Sequence, residues 1–507
     1  MRIQNAARNS FFSALAQVFL ILFGFLSNRA VNLYIGEAMV GINGTITNVL
    51  GILSVTELGL GAALIYHLYG AVARKEEKKV AELINLYRWA YYILALVVLV
   101  AGLILLPFIP GLMKDNPFST QVTLIIYSLW LIRSVLSYLQ AWPRSVLLAD
   151  QKEYLISITQ LTIQVANNLL IILIVRLTGN FIPALALNVA VEAVLYFVLN
   201  RYIFQKYAYL KEYRKLRPER KTVKDVFHDI KDIFVSRIAS KILVSTDNLI
   251  ISGLISVVVS GLYNNYLLVT SALNGIVGAV INSVQPSMGN LFLEKDHEKE
   301  YGVLRQFVFL AFLIASFFAS GLLSLLSPFV VFWLGDHYLL PFEVVCLLVG
   351  SVFIAILSLP LSVVMTAGGQ FGRERNLSII SATANLVLSL FLVKPLGIMG
   401  VILGTIAAYF ILVWGRLFLF CRKYLKKPVL IPAAEMLLYF VLGTAETVLT
   451  FLVTNQIGPS DSLPKFILCF LLCILIPNGC NLLIFCRTWK LKSLKWMVKV
   501  VLKRKQA

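Results

Sequence analysis

Residues Ile84–Pro110 read INLYRWAYYILALVVLVAGLILLPFIP. Arg88 is the only charged residue in this stretch. A helix needs about 20 mostly apolar residues to cross the hydrocarbon core of a bilayer, so the stretch predicts a transmembrane helix. Thirteen similar segments surround it, at about 11–35, 38–68, 119–146, 154–176, 181–204, 233–254, 257–290, 304–334, 342–367, 376–394, 397–420, 431–454 and 465–487. Of the 507 residues 59% are hydrophobic and 14% charged, against about 25% charged in soluble domains. These figures exclude a soluble globular protein and define an all-α polytopic membrane protein with about 14 transmembrane helices. The first segment follows Arg2 and Arg8. It is too long for a signal-peptide core and no clear cleavage site follows it, so it is expected to remain as the first span.

The chain carries 45 Lys and Arg against 25 Asp and Glu, a net charge of +20. With the N-terminus in the cytoplasm, thirty-five of these cations fall in inner loops and tails. Four (Lys114, Arg176, Lys394, Lys465) fall outside, and six (Arg29, Arg88, Arg133, Arg237, Lys241, Arg416) sit within spans or at their edges. The positive-inside rule therefore places both termini in the cytoplasm and removes any need for nucleic acid as a partner. The six cysteines, Cys469 and Cys473 among them, lie in or beside spans. Their spacing suits packing rather than disulfides.

The two halves resemble each other at an offset near 220. Asn28, Gly41, Leu53, Lys75 and Lys79 match Asn248, Gly261, Leu273, Lys295 and Lys299. Pro107-Phe108 matches Pro328-Phe329 at offset 221, and Asn167 and Gly179 match Asn385 and Gly397 at 218. Ordered recurrence with six spans per half predicts two parallel-repeat lobes, at 1–204 and 233–424. A basic cytoplasmic linker at 205–232 joins them. Two additional helices (425–487) and a basic tail (488–507) follow. Trp489, Leu494, Trp496 and interleaved lysines of the tail suit either an amphipathic helix on anionic lipid or a disordered basic segment.

The sequence lacks a phosphate-cradling ATPase loop, an H-E-x-x-H motif and Cys/His zinc spacing. The outer loops are expected to be short, the longest about eleven residues, which leaves little room for an enzyme's active site. No catalytic residue, metal or cofactor is expected, and two six-helix lobes are read as moving a substrate.

Ionisable groups inside spans cost several kcal/mol, roughly, unless they face a cavity or a partner, so they are the pointers to a site. Arg133 heads a polar stripe with Ser137, Gln140 and Arg144 at i+4, i+7 and i+11. In the seventh segment Arg237, Lys241, Ser245, Asn248 and Ser252 share one helix face. Asp247 beside them either neutralises Lys241 or titrates as a coupling acid. Arg29 lies near Asn28 and Asn32; Glu57 sits in a Gly-rich turn; Glu192 and Glu446 are mid-span; and Asn264 and Asn265 belong to the polar face of the eighth segment. Arg29, Arg133, Arg237 and Lys241 outnumber Glu57 and Asp247, which predicts a cationic cavity between the lobes for an anionic substrate. Asn248, Asn264 and Asn265 would suit its hydroxyl-rich part.

Glu57-Leu58-Gly59-Leu60-Gly61-Ala62-Ala63-Leu64-Ile65-Tyr66, Ser245-Thr246-Asp247-Asn248-Leu249-Ile250-Ile251-Ser252 and Gly261-Leu262-Tyr263-Asn264-Asn265-Tyr266 resemble bacterial polysaccharide-biosynthesis proteins of the Wzx flippase type. These belong to the multidrug/oligosaccharidyl-lipid/polysaccharide exporter superfamily. The resemblance implies a flippase in the bacterial cytoplasmic membrane. It would translocate undecaprenyl-pyrophosphate-linked oligosaccharide by alternating access, with membrane lipids around it and a polysaccharide polymerase or ligase as partners. In that reading the four cations hold the pyrophosphate, and Asp247 or Glu57 couples the cycle to protons or sodium. The alternatives are a drug/cation antiporter of the same superfamily, which would favour an acidic, aromatic cavity, and a membrane polysaccharide polymerase.

Overall fold

The computed structural model describes residues 19–53, 68, 71, 72, 74, 76–150, 152–214, 216, 245–282, 284–294, 296–459 and 462–488. Among the described residues every regular element is helical. Among the described residues, fourteen helices overlap the fourteen apolar segments. They are α1 (Phe19–Tyr34), α2 (Glu37–Leu53), α3 (Glu77–Leu105), α4 (Thr120–Ala141), α5 (Glu153–Thr178), α6 (Phe181–Lys206) and α7 (245–250), which widens into a π turn at Ile251–Ile255. There follow α8 (Val257–Asn282), α9 (His297–Trp333), α10 (Phe342–Ala367), α11 (Phe371–Leu396), α12 (Ile398–Phe418), α13 (Leu430–Ile457) and α14 (Leu463–Phe485).

Eleven of them, α3–α6 and α8–α14, are long and apolar enough to cross a membrane. Their outward faces are apolar as well: Leu483 is 80% exposed and Phe391 75%. Water does not tolerate such a surface in quantity, whereas lipid does, so the chain is a multi-pass membrane protein. The expected sites Glu57, Arg237 and Lys241, much of the basic linker and most of the C-terminal tail lie outside the described residues.

Local chemistry sets the helix ends. Ser119 and Asn180 cap α4 and α6 by accepting from the backbone N–H groups of Val122 and Ile182. The start of α9 falls seven residues before the apolar segment, because Asp296 caps it by accepting from Glu298 N and Lys299 N. Those backbone bonds, the one from Lys299 foremost, hold the Asp296 carboxyl below its ordinary pKa. The repeat-matched prolines behave differently. At Pro107 the α3 helix gives way to a 3-10 turn, Leu106–Phe108, whereas α9 continues past Pro328 to Trp333. The repeat-matched glycines both end helices at positive φ, which favours glycine: Gly179 closes α5 in the left-handed helical region (φ 61°, ψ 18°), and Gly397 closes α11 at φ 57°, ψ −135°.

The chain divides into two compact units, Met1–Asn265 and Tyr266–Ala507. In the first, α3 packs on α4, α4 on α6, and α6 on α5. In the second, α9 packs on α10, α10 on α12, and α12 on α11. The same neighbour order thus recurs at the spacing of the sequence repeat. The second unit adds α13 and α14, both packed on α9.

One buried ion pair ties the second unit together. Arg416 of α12 grips Glu374 of α11 through Nε and Nη2, with Nη2 to Oε1 at 2.5 Å, and Nη1 donates to Ser358 O of α10 at 3.3 Å. Removing one partner of a buried pair strands the other charge, at about 3–5 kcal/mol. Arg416→Ala is therefore expected to lower the melting temperature of the detergent-solubilised protein strongly, and Arg416→Ala combined with Glu374→Ala less so. A thermal-shift measurement on the two variants checks this.

Candidate functional site

The polar residues of the first unit form two clusters. The first lies between α4 and α6. Arg133 Nε donates to Glu192 Oε2 at 2.6 Å, and the two side chains retain 24% and 14% exposure. The guanidinium also stacks over the Trp130 ring, 4.7 Å from its centroid. The helical spacing read from the sequence places Ser137 and Gln140 on the same cleft, where Tyr196 joins them. Arg144 completes the stripe: it lies over the Tyr196 ring at 4.0 Å and donates to Ser137 O at 3.4 Å. The cavity beside the guanidinium is about 10 Å³, room for about one water, so another anion reaches Arg133 only by displacing the Glu192 carboxylate. The cleft therefore carries a counter-charge that the sequence places mid-span without linking it to Arg133.

The second cluster lies where α1, α2, α7 and α8 meet. Asn32 of α1 and Asn265 of α8 exchange hydrogen bonds in both directions: Asn32 Nδ2 to Asn265 Oδ1 at 3.0 Å, and Asn265 Nδ2 to Asn32 Oδ1 at 3.1 Å. Both are buried. Asn248 of α7 donates to Asn264 Oδ1 at 2.9 Å. The three asparagines expected to meet substrate are thus held in helix-to-helix bonds here. Asp247 is buried next to Asn248. Arg29 is exposed on α1 and forms no ion pair among the described residues.

Glycines make this meeting possible. A Cβ on Gly41 of α2 would stand 2.0 Å from Val257 O, and one on Gly261 of α8 would stand 1.9 Å from Glu37 O. The contact is reciprocal, since Glu37 and Gly41 are offset from Val257 and Gly261 by the repeat distance of 220. Reciprocal contacts of this kind mark a two-fold axis, and here a local one relates α2 and α8. Three residues on, a Cβ at Gly44 would stand 2.4 Å from Asn264 Nδ2.

The break between α7 and α8 is sealed by a neighbouring turn. Ser256 is extended, which frees backbone groups that must find partners in an apolar environment. Lys114 N donates to Ser252 O and Val257 N to Lys114 O, each at 2.9 Å, and Ser252 Oγ donates to Leu112 O at 2.9 Å. The two clusters are also linked. Trp130 Nε1 donates to Asn43 Oδ1 of α2 at 2.8 Å, so the ring under Arg133 is anchored to the helix that crosses α8.

Asn32, Asn43, Trp130 and Gly44 were not marked by the sequence as site residues. Asn32 was visible as a polar residue near Arg29, and the others had no signal beyond residue type. The Asn32–Asn265 pair gives an expected outcome: Asn32→Ala leaves a buried amide unpaired and costs about 1–3 kcal/mol. A double-mutant cycle with Asn265→Ala, read by thermal unfolding, is expected to show positive coupling.

The fold is shared with known transporters. A lipid II flippase, MurJ, in an inward closed conformation aligns over 94% of this chain and 99% of its own, with TM-score 0.69 at 15% identity. An inward-facing multidrug resistance MATE family transporter of the MOP superfamily aligns over 80% of this chain and 95% of its own, with TM-score 0.65 at 14% identity. The outward-facing conformation of a MATE family transporter aligns over 82% and 96%, with TM-score 0.54 at 16% identity. At these identities the likeness establishes the fold alone. No curated protein matches the chain. A family model described as polysaccharide biosynthesis protein matches residues 6–292, more than half of the sequence. The chain belongs to the polysaccharide biosynthesis protein family.

Proposed function

We propose that the protein is a flippase that carries undecaprenyl-pyrophosphate-linked oligosaccharide across the bacterial cytoplasmic membrane for surface polysaccharide assembly. Membership of a polysaccharide biosynthesis family on a transporter fold carries this reading. The Arg133 cleft supports it: a guanidinium suits a pyrophosphate bidentately, while Trp130, Gln140 and Tyr196 offer ring faces and an amide to sugar hydroxyls. Arg29, Asn248, Asn264 and Asn265 belong to the same proposed path. Arg237 and Lys241 as further pyrophosphate contacts, and Glu57 with Asp247 as coupling acids, enter on sequence position. Both termini are proposed to be cytoplasmic, with a polysaccharide polymerase or ligase acting on the product outside.

The proposed cycle is alternating access. The α2–α8 crossing, closed in this structure, has to separate in the opposite state, and the Asn32–Asn265 and Asn248–Asn264 bonds then exchange for other partners. The test is reconstitution in liposomes with a fluorescent undecaprenyl-pyrophosphate oligosaccharide and an impermeant quencher. Protein-dependent loss of protection supports the flippase, and no change over empty liposomes counts against it. A drug/cation antiporter is the second reading, favoured by one observation: Glu192 together with Trp130 and Tyr196 makes the cleft acidic and aromatic in part. Uptake of a cationic dye by the same liposomes would support it.

A further inference from the structure

The second unit holds a buried polar seam that the transport reading does not use. It lies where α13 and α14 pack on α9. Two helices carry polar residues four apart, Ser316 and Ser320 on α9 and Glu446 and Thr450 on α13, and α14 presents Cys473 and Asn481 two turns apart. All are buried, and Glu446 is 3% exposed. Spacing of this kind lets helices approach closely in a membrane and bond to one another.

Glu446 sits near the middle of α13, and its carboxylate is unevenly satisfied. Ser316 Oγ donates to Oε2, and Asn481 Nδ2 donates to the same oxygen at 3.0 Å. Oε1 has no hydrogen-bond partner, nor do Asn481 Oδ1 and Ser320 Oγ, among the described residues. Among the described residues no cationic side chain pairs with it. On α9, Glu298, Lys299, Glu300 and Arg305 all lie in the first turns, and Arg305 is taken by Glu435 of α13. Glu435 is eleven residues from Glu446, about 16 Å along the helix. Lys465 is at the start of α14, and Arg416 of α12 is held by Glu374. A charged carboxylate in an enclosed apolar interface with only two neutral donors carries a large desolvation cost. Protonation removes that cost and gives Oε1 a hydrogen to share.

We propose that Glu446 is a proton-binding site. It carries a proton in the packing seen here and releases it when α13 and α14 shift on α9 and water reaches the seam. The protein thereby acquires a means of drawing on a proton gradient from helices that lie outside the two six-helix repeats. The coupling part rests on the transport reading, whereas the proton-binding part does not.

Hydrophobic carbodiimides react with protonated carboxyl groups in membranes and provide the test. In full-length protein in liposomes, Glu446 is expected to be modified at neutral pH, as read by mass spectrometry of its peptide, and modification is expected to be lost in alkaline buffer. No modification at neutral pH, modification unchanged by pH, or protection by sodium ions would each overturn the proposal. Glu446→Gln retains the donors' acceptor oxygen. It is expected to keep gradient-independent flipping and to lose the acceleration that an imposed proton gradient produces; wild-type acceleration would overturn the coupling. Absence of flipping by the wild-type protein would sink the transport reading, while the labelling would still decide the proton site.

Discussion

Gly41→Val is expected to abolish polysaccharide export while the protein is still made and inserted. The added Cβ would stand 2.0 Å from Val257 O, a backbone atom that cannot swing aside. Overpacking in a well-filled core costs roughly 1–3 kcal/mol and occasionally more, and a backbone clash belongs at the upper end. The helices must separate by an ångström or more, which also pulls on the Asn32–Asn265 exchange and on the Lys114 strap. The closed crossing is then disfavoured relative to any state in which α2 and α8 are apart. Gly261→Val is expected to match it, because the contact is reciprocal. Gly24, with nothing within 4 Å of its Cβ position, is the control: Gly24→Ala should export normally. Complementation of an export-deficient strain, with membrane levels checked by immunoblot, measures all three. Normal export by Gly41→Val would show that the crossing has no part in the cycle.

Arg133→Ala is expected to lower flipping by about tenfold or more, the effect of losing about 1.4 kcal/mol or more of a charge-assisted contact. Its interpretation depends on Glu192. If the pair is only structural, exchanging the charges by Arg133→Glu with Glu192→Arg should restore both stability and export. If the guanidinium receives the substrate anion in place of Glu192, the exchange should restore stability and leave export low, because the cation then no longer stacks over Trp130. Glu192→Gln separates the two further. It releases Arg133 from its carboxylate and is expected to tighten substrate binding, with a modest loss of melting temperature because the pair is partly exposed. Thermal unfolding and the liposome assay, run on the same three variants, read both quantities.

Much of the architecture was legible in the order of residue types. Among the described residues each apolar segment is helical, eleven of them over a membrane-spanning length, since a chain in lipid has to satisfy its backbone internally and helices do this segment by segment. The matched glycines were legible in part: Gly179 and Gly397 each end a helix with a positive φ, though their ψ angles differ. The stripe from Arg133 through Ser137 to Gln140 followed from helical periodicity alone. What escaped was pairing. Glu192 lies fifty-nine residues from Arg133 and Asn32 lies 233 from Asn265, and nothing in a single helix face says which other face it meets.

Composition and periodicity by themselves determined that this protein lives in a membrane, that its chain crosses many times, and which few polar groups must be accounted for there. Those properties follow from the transfer of each segment into lipid, a sum over neighbours in sequence. Tertiary packing alone decided what the polar groups do. It gave Arg133 a carboxylate and a ring, turned two repeat-matched glycines into a crossing with no room for a methyl group, and left Glu446 with one oxygen accepting two hydrogen bonds and the other, among the described residues, none. Each of these depends on where a second helix stands, and burial makes that position count, because a polar atom or a backbone contact inside an apolar bundle has no water to substitute for a missing or misplaced partner.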